Sequence, residues 1–270
     1  MIDPTCLGMG DFLVYAWILT TAAARGRIVK IVPRRWVDLL NMFGCVNFYA
    51  PLRRPTSIAE PVKGTMSRSW LQHWYKEYVG EDLEHSEFIR PLWTPDSKAS
   101  DISHLHDGRG SILVFPEISQ PAWVCREWPI SKYIQTAHQL KNMFGCRVIC
   151  VTRNLEPYSN AFPEFVYGLK TPELCALIKG ARGVLCNESG PAHIAGTLDI
   201  PTIVVAGPSL RRKFAAWLPS VQYVSNGTMS CTGCDFKMGG GYRRWCDFGC
   251  QSLQTLNLTE VLEQASKSFV

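Results

Sequence analysis

The segment Cys186-Asn187-Glu188-Ser189-Gly190-Pro191-Ala192-His193 follows one apolar run and opens another, and its residue types suit an anion. Ser189 or Glu188 can cap a helix there, Gly190 permits close backbone approach, and amides at the helix start can receive a phosphate. His193, near the start of the same helix, adds a hydrogen-bonding side chain. A strand, a glycine turn and a helix in succession recur across α/β proteins, so the loop taken alone also fits a structural turn.

Two other groups of residues have chemistry in their spacing. Cys231 and Cys234 are separated by two residues, Cys246 and Cys250 by three, and eleven residues lie between the pairs. Four thiolates so spaced suit a structural tetrahedral zinc or a rubredoxin-like iron, and Gly233, Gly239, Gly240, Gly241 and Gly249 allow the tight turns. The alternative is four free thiols in a loop. A second group interleaves basic and aromatic side chains. It comprises Arg34, Arg35 and Trp36, then Phe48, Tyr49, Arg53 and Arg54, then Arg68, Trp70, His73, Trp74 and Tyr75. Such a surface receives a polyanion, either a phosphate-decorated glycan or DNA. Residue by residue, the same pattern also fits buried tryptophans and solvated arginines.

The elements that position these groups can be read from periodicity. Asp11 to Ala24 forms a mostly apolar helix and Arg27 to Val32 a short buried strand. Pro33 opens a helix that Gly44 stops, Val46 to Tyr49 offers another strand, and 61–79 reads as an aromatic-rich helix. The stretch 91–110 has little periodicity and reads as a linker, which places a lobe boundary near Gly110. Beyond it the alternation is regular. Strands are expected at Ile112–Phe115, Arg147–Val151, Gly183–Cys186 and Thr202–Val205, with helices at Ile130–Phe144, Thr171–Gly180 and Gly190–Leu198. This alternation predicts a parallel, doubly wound sheet, whose ligands bind beyond the carboxyl ends of the strands.

Composition sets the outer limits. With 270 residues, 46% of them hydrophobic and 19% charged, the chain can bury a substantial core and is too apolar to stay disordered. The apolar run Phe12–Ala24 is too short to span a bilayer, and acids rather than bases precede it, so a cytoplasmic location is expected. Seven cysteines, Cys6, Cys45, Cys125, Cys146, Cys150, Cys175 and Cys186, lie scattered in apolar surroundings and read as buried thiols. The net charge is +5, but Arg25 to Lys76 holds ten basic residues against two acids, which biases the N-terminal part toward anionic partners.

The stretch from Tyr167 to Ser209 resembles the ADP-heptose heptosyltransferases, glycosyltransferase family 9. That family typically carries a Leu-x-x-Leu-x-x-x-Ala helix, then Asn-Asp-Ser-Gly-x-x-His-x-Ala, then a strand ending Gly-Pro-Thr. Arg126-Glu-Trp-Pro129 is similar to the family's Lys/Arg-x-Trp-Pro, and Leu7-Gly-Met-Gly-Asp11 to its N-terminal Gly-Asp loop. Glu188 stands where the family has Asp. The resemblance implies an α/β GT-B fold of two Rossmann-like lobes. Residues 1–110 would form a reduced acceptor lobe, and 111–270 a nucleotide-sugar lobe carrying the four-cysteine loop 231–250. It further implies that Arg126 neutralises the donor diphosphate, that Gly10, Glu188, Ser189, Gly190, His193 and Ser209 hold the donor, and that Asp11 is the general base of an inverting transfer needing no metal. Arg34, Arg35, Arg53 and Arg54 would face the acceptor. Some protein-modifying relatives carry a four-cysteine iron site, which agrees with the spacing of the cysteines here. The implied activity is transfer of a sugar from a nucleoside diphosphate to a hydroxyl of an anionic acceptor such as lipopolysaccharide core. Two alternatives stand beside it: a phage enzyme acting on hydroxymethylated pyrimidines in DNA, and a non-catalytic binding module on the same fold.

Overall fold

A computed structural model describes residues 9–27, 29–31, 42–43, 49–51, 69–94, 102, 105, 110–118, 126–156, 158–234 and 249–270. The chain begins with α1 (Met9–Ala24), β1 (Val29–Ile31) and β2 (Tyr49–Pro51), and the two strands pair in parallel. Of the strand expected at Val46–Tyr49, residues 46–48 lie outside the described residues, while Tyr49 falls in β2, which runs on to Pro51. A proline is tolerated at a strand end because no ladder donor is required there. α2 (Trp70–Val79) starts later than the expected 61–79 helix, because Ser69 and Gln72 form a reciprocal capping box. Ser69 Oγ accepts from the Gln72 amide at 3.3 Å and Gln72 Oε1 from the Ser69 amide at 3.2 Å. Gly80, at φ 84°, ends the helix in the left-handed conformation. The expected helix after Pro33 lies largely outside the described residues, as do 61–68.

The remainder is built on six parallel strands: β3 (Ile112–Phe115), β4 (Val148–Thr152), β5 (Phe165–Tyr167), β6 (Gly183–Asn187), β7 (Thr202–Val205) and β8 (Val221–Val224). Their order is β5-β4-β3-β6-β7-β8, so the chain runs outward from β3 to one edge and then returns to lay β6 on its other side. The helices are α3 (Ile130–Phe144), α4 (Thr171–Lys179), α5 (Gly190–Thr197), α6 (Arg211–Phe214), α7 (Gln251–Thr255) and α8 (Leu258–Ser268). The elements from β3 to β7 match the expected alternation to within about a residue, apart from β5. That strand, together with β8, α6, α7 and α8, has no counterpart in the sequence reading. β5 and β8 are edge strands whose middle residues are only partly buried, so each lacks the continuous apolar run that marks β3, β4, β6 and β7.

Each central strand alternates between two cores. Leu113, Phe115, Val184, Cys186 and Val204 face a layer formed by α4 and α5, while Ile112, Val114, Leu185, Ile203 and Val205 face α3, α7 and α8. α1 belongs to the first of these cores. It lies along α5 and beneath α2, and Leu13 through Leu19 are all buried. Apolar residues all around α1 therefore reflect burial on every side rather than a membrane segment. Trp17 Nε1 donates to Thr197 Oγ1 at 3.1 Å, and Arg90 clasps Asp199 at 2.9 and 3.2 Å, tying the N-terminal part to both sides of the α5 C-terminus. Among the described residues no helix is long and apolar enough to cross a membrane.

Candidate active site

β3 and β6 are neighbours, but the connection after β3 leads to α3 on one face and that after β6 leads to α5 on the other. Chains that diverge in this way leave a crevice at the carboxyl ends of the two strands. Asn187, the last residue of β6, is fully buried and spans that crevice. Its Nδ2 donates to the Pro116 carbonyl at 2.6 Å, and its Oδ1 accepts from the Trp128 amide at 3.0 Å. One side chain thus pins the end of β3 and the segment leading into α3. Arg126 lies on that segment, two residues before Trp128.

Arg126 Nη1 lies 2.5 Å from Glu188 Oε2, and its guanidinium sits 5.7 Å from the centre of the Phe214 ring. Glu188 is 6% exposed. Ser209, from the connection after β7, donates its hydroxyl to the same Oε2 at 3.2 Å, and His193 Nε2 lies 3.6 Å from Oε1. Burial alone would push the Glu188 carboxyl up. The charge of Arg126, with His193 and Ser209, outweighs burial and holds it at about 2, so the carboxylate is ionised. The Tyr223 hydroxyl is sealed from solvent nearby. Its pKa is raised well above the usual tyrosine range, chiefly by burial and then by the charge of Glu188. On the Arg126 side, Glu127 is pushed up by burial while its carboxylate accepts from the Ile118 amide at 3.3 Å.

The start of α5 is open rather than capped. Ser189 occupies the N-cap position, but its hydroxyl donates back to the Asn187 carbonyl at 3.1 Å and makes no capping hydrogen bond. Glu188 is committed to Arg126. The expectation that one of these two side chains caps the helix is therefore corrected. A capping oxygen bonds the second or third helical amide. Here the second position is Pro191, which has no amide hydrogen, and the third amide, Ala192, bonds the Ser189 carbonyl at 3.1 Å.

Of the residues singled out in the sequence, Arg126, Glu188, Ser189, Gly190, His193, Ser209 and Gly10 come together here. The first turn of α1 abuts the first turn of α5. A Cβ added to Gly190 would stand 3.1 Å from Met9 Cβ, and one added to Gly10 would stand 2.6 Å from His193 Cδ2. Asp11 follows Gly10 in α1, with its side chain outside the described set. Arg34, Arg35, Arg53, Arg54 and Cys246 also lie outside the described residues. Cys234 and Cys250 are buried and Cys231 is half-buried. Among the described residues no three His, Cys, Asp or Glu side chains gather as a metal-binding group. Gly233 and Gly249 are left-handed, at φ 75° and 92°, as tight turns beside these cysteines require. Cys146, Cys150, Cys175 and Cys186 are buried and form no disulfide, and burial pushes Cys150 and Cys175 up to about 12. Sequence reasoning missed Asn187, Phe214, Trp217 and Tyr223. Asn187 alone had a local signal, as an amide ending a run of apolar strand residues.

A family model described as glycosyltransferase family 9 (heptosyltransferase) matches residues 93–239. No curated protein matches the chain in sequence. Solved structures resemble it over nearly its whole length. ADP-heptose LPS heptosyltransferase II of E. coli is 16% identical, with a TM-score of 0.67, covering 97% of this chain and 96% of its own. TibC from enterotoxigenic E. coli, a dodecameric iron-containing heptosyltransferase, was solved in complex with ADP-D-β-D-heptose. It is 15% identical, with a TM-score of 0.66, covering 97% of this chain and 74% of its own. The E. coli heptosyltransferase WaaC with ADP is 13% identical, with a TM-score of 0.53, and the coverages are 97% and 95%.

Proposed function

The chain belongs to glycosyltransferase family 9, the heptosyltransferases, and from that premise we propose that it transfers heptose from ADP-heptose to a hydroxyl of an anionic glycan such as lipopolysaccharide core. Family membership makes it a glycosyltransferase rather than a non-catalytic binding module. The observation that carries the donor assignment is the convergence of Arg126, Ser209 and His193 on Glu188, beside the uncapped start of α5. A nucleoside diphosphate in that crevice meets the Arg126 cation and the positive end of α5, both of which stabilise the charge that grows on the leaving diphosphate. The adenine nucleotide is favoured because TibC and WaaC were solved with ADP-heptose and ADP.

In this reading residues 111–270 bind the donor and residues 1–110 the acceptor, with Arg34, Arg35, Arg53 and Arg54 on the acceptor side. Asp11 takes the proton of the acceptor hydroxyl as its oxygen attacks the anomeric carbon from the face opposite the diphosphate, which inverts the configuration. The position of Asp11 in the first turn of α1, next to the α5 N-terminus, supports that role. Cys231, Cys234, Cys246 and Cys250 would hold a structural zinc or iron. Their spacing and the two left-handed glycines support a metal, although the three described thiols form no ligand group by themselves. Elemental analysis of the purified protein should find about one metal per chain, and its absence would remove this part of the reading.

The test is a thermal-shift and product screen with ADP-heptose and with UDP- and GDP-sugars. Each is measured alone, with deacylated lipopolysaccharide, and with hydroxymethylated DNA. Stabilisation by ADP-heptose and release of ADP dependent on lipopolysaccharide is the expected result, with inversion read from the anomeric configuration of the product. ADP release with DNA alone would move the acceptor to DNA. No shift with any nucleotide sugar would overturn the donor site.

A further inference from the structure

The first turns of α1 and α5 meet closely at two glycines, Gly10 and Gly190. His193 is 7% exposed, with its Nε2 3.6 Å from Glu188 Oε1 and its ring centre 6.3 Å from that of Trp217. Gly10 lies against the same ring. A Cβ there would stand 2.6 Å from His193 Cδ2, 3.2 Å from Nε2 and 3.3 Å from Cγ, so any side chain at position 10 displaces the imidazole. The reciprocal contact is as close: a Cβ on Gly190 would meet Met9 Cβ at 3.1 Å and the Gly10 nitrogen at 3.6 Å. Neither glycine is in the left-handed conformation, so the requirement for glycine at position 10 comes from the space that His193 occupies, not from backbone strain.

From this geometry we infer that Gly10 is a positioning residue for His193. The bare backbone at the start of α1 sets how far the imidazole leans toward Glu188. It thereby links the placement of the N-terminal helix that carries Asp11 to the geometry of the loop after β6. This inference rests on the donor-site reading for its effect on function, but not for the contact itself. A ring displaced by roughly 1 Å alters the contacts of Glu188 and of any ligand at the start of α5, and displacements of that size cost up to about 10²-fold in rate.

The experiment compares wild type, Gly10→Ala, His193→Ala and the double variant in two measurements. The first is the ring resonances of His193 by NMR, assigned by their loss in His193→Ala, with exposed His138 on α3 as the reference. Gly10→Ala should move the His193 resonances and leave those of His138 in place. Unmoved His193 resonances in a folded Gly10→Ala protein would overturn the inference, whatever the enzyme binds. The second is the affinity for ADP by calorimetry. Gly10→Ala should weaken ADP about tenfold in the wild-type background and less than about twofold when His193 is already alanine, because the clash partner is then absent. Equal losses in both backgrounds would show that Gly10 acts independently of His193 and would overturn the inference while leaving the donor site standing. Should wild type fail to bind ADP, the donor reading falls and the resonance measurement alone decides the positioning role. If Gly10→Ala does not fold, Gly10→Ala in the His193→Ala background serves instead: restored folding supports the inference, and continued failure to fold overturns it.

Discussion

At the scale of single residues, the chemistry of the site turns on one buried carboxylate. Glu188 is held at about 2 against an ordinary 4.5, so its contribution to stability is fully present above pH about 4.5 and is lost as pH falls toward 2. Acid unfolding followed by circular dichroism should therefore be shallower for Glu188→Gln than for wild type across that window. Equal slopes would mean that Arg126 does not hold the carboxylate ionised. Arg126→Gln leaves the charge buried without its partner, and removing one member of such a pair costs about 3 kcal/mol or more. The same variant should lower kcat/KM by at least about 10²-fold through loss of charge at the diphosphate. Asp11 belongs to a different step. Asp11→Asn should lower kcat by about 10²-fold or more while ADP affinity changes less than about threefold, and activity within threefold of wild type would sink its assignment as base.

At the scale of elements, the crevice exists because the connections after β3 and β6 leave for opposite faces of the sheet, and Asn187 holds their ends at a fixed separation. Asn187→Ala would strand the Pro116 carbonyl and the Trp128 amide in a buried place. Each unsatisfied group costs about 1–3 kcal/mol, so denaturant unfolding should show a loss of about 2–6 kcal/mol. Because Trp128 is displaced along with Arg126, the variant should also bind ADP more weakly. Destabilisation without any change in ADP affinity would mean that Arg126 is positioned by something other than this link. The open start of α5 fits the same picture, since Ser189 turns its hydroxyl to Asn187 and the proline at the second helical position needs no acceptor.

At the scale of the whole molecule, the core beneath α4 and α5 continues into α1 and α2. Leu13 to Leu19, Leu71, Trp74 and Tyr75 belong to the same buried cluster as Leu113, Val184 and Ile194. Parts that share a core unfold together, even when each carries its own function. Denaturation monitored by tryptophan fluorescence and by far-ultraviolet circular dichroism should therefore give coincident transitions. Two separated transitions would show that the N-terminal part unfolds on its own.

Sequence alone determined the elements that announce themselves locally and the loop whose residue types suit a phosphate. Strands β3, β4, β6 and β7 are buried on both faces and so read as unbroken apolar runs, and α3 shows the helical period up to its glycine stop. Glu188, Ser189, Gly190 and His193 are contiguous, and Arg126 stands in a motif of its own, so their grouping was legible from composition and resemblance. Only the tertiary structure decided what each of them touches. That Ser189 leaves α5 uncapped, that Asn187 staples two loops, and that Gly10 meets His193 are contacts between residues far apart in the chain or between alternative local partners of similar energy, and no periodicity encodes which one prevails. The edge strands β5 and β8 were hidden for a related reason. With one side of each strand unpaired and only partial burial, their residues carry little of the hydrophobic pattern, and their strand character comes from the neighbour to which each is hydrogen-bonded.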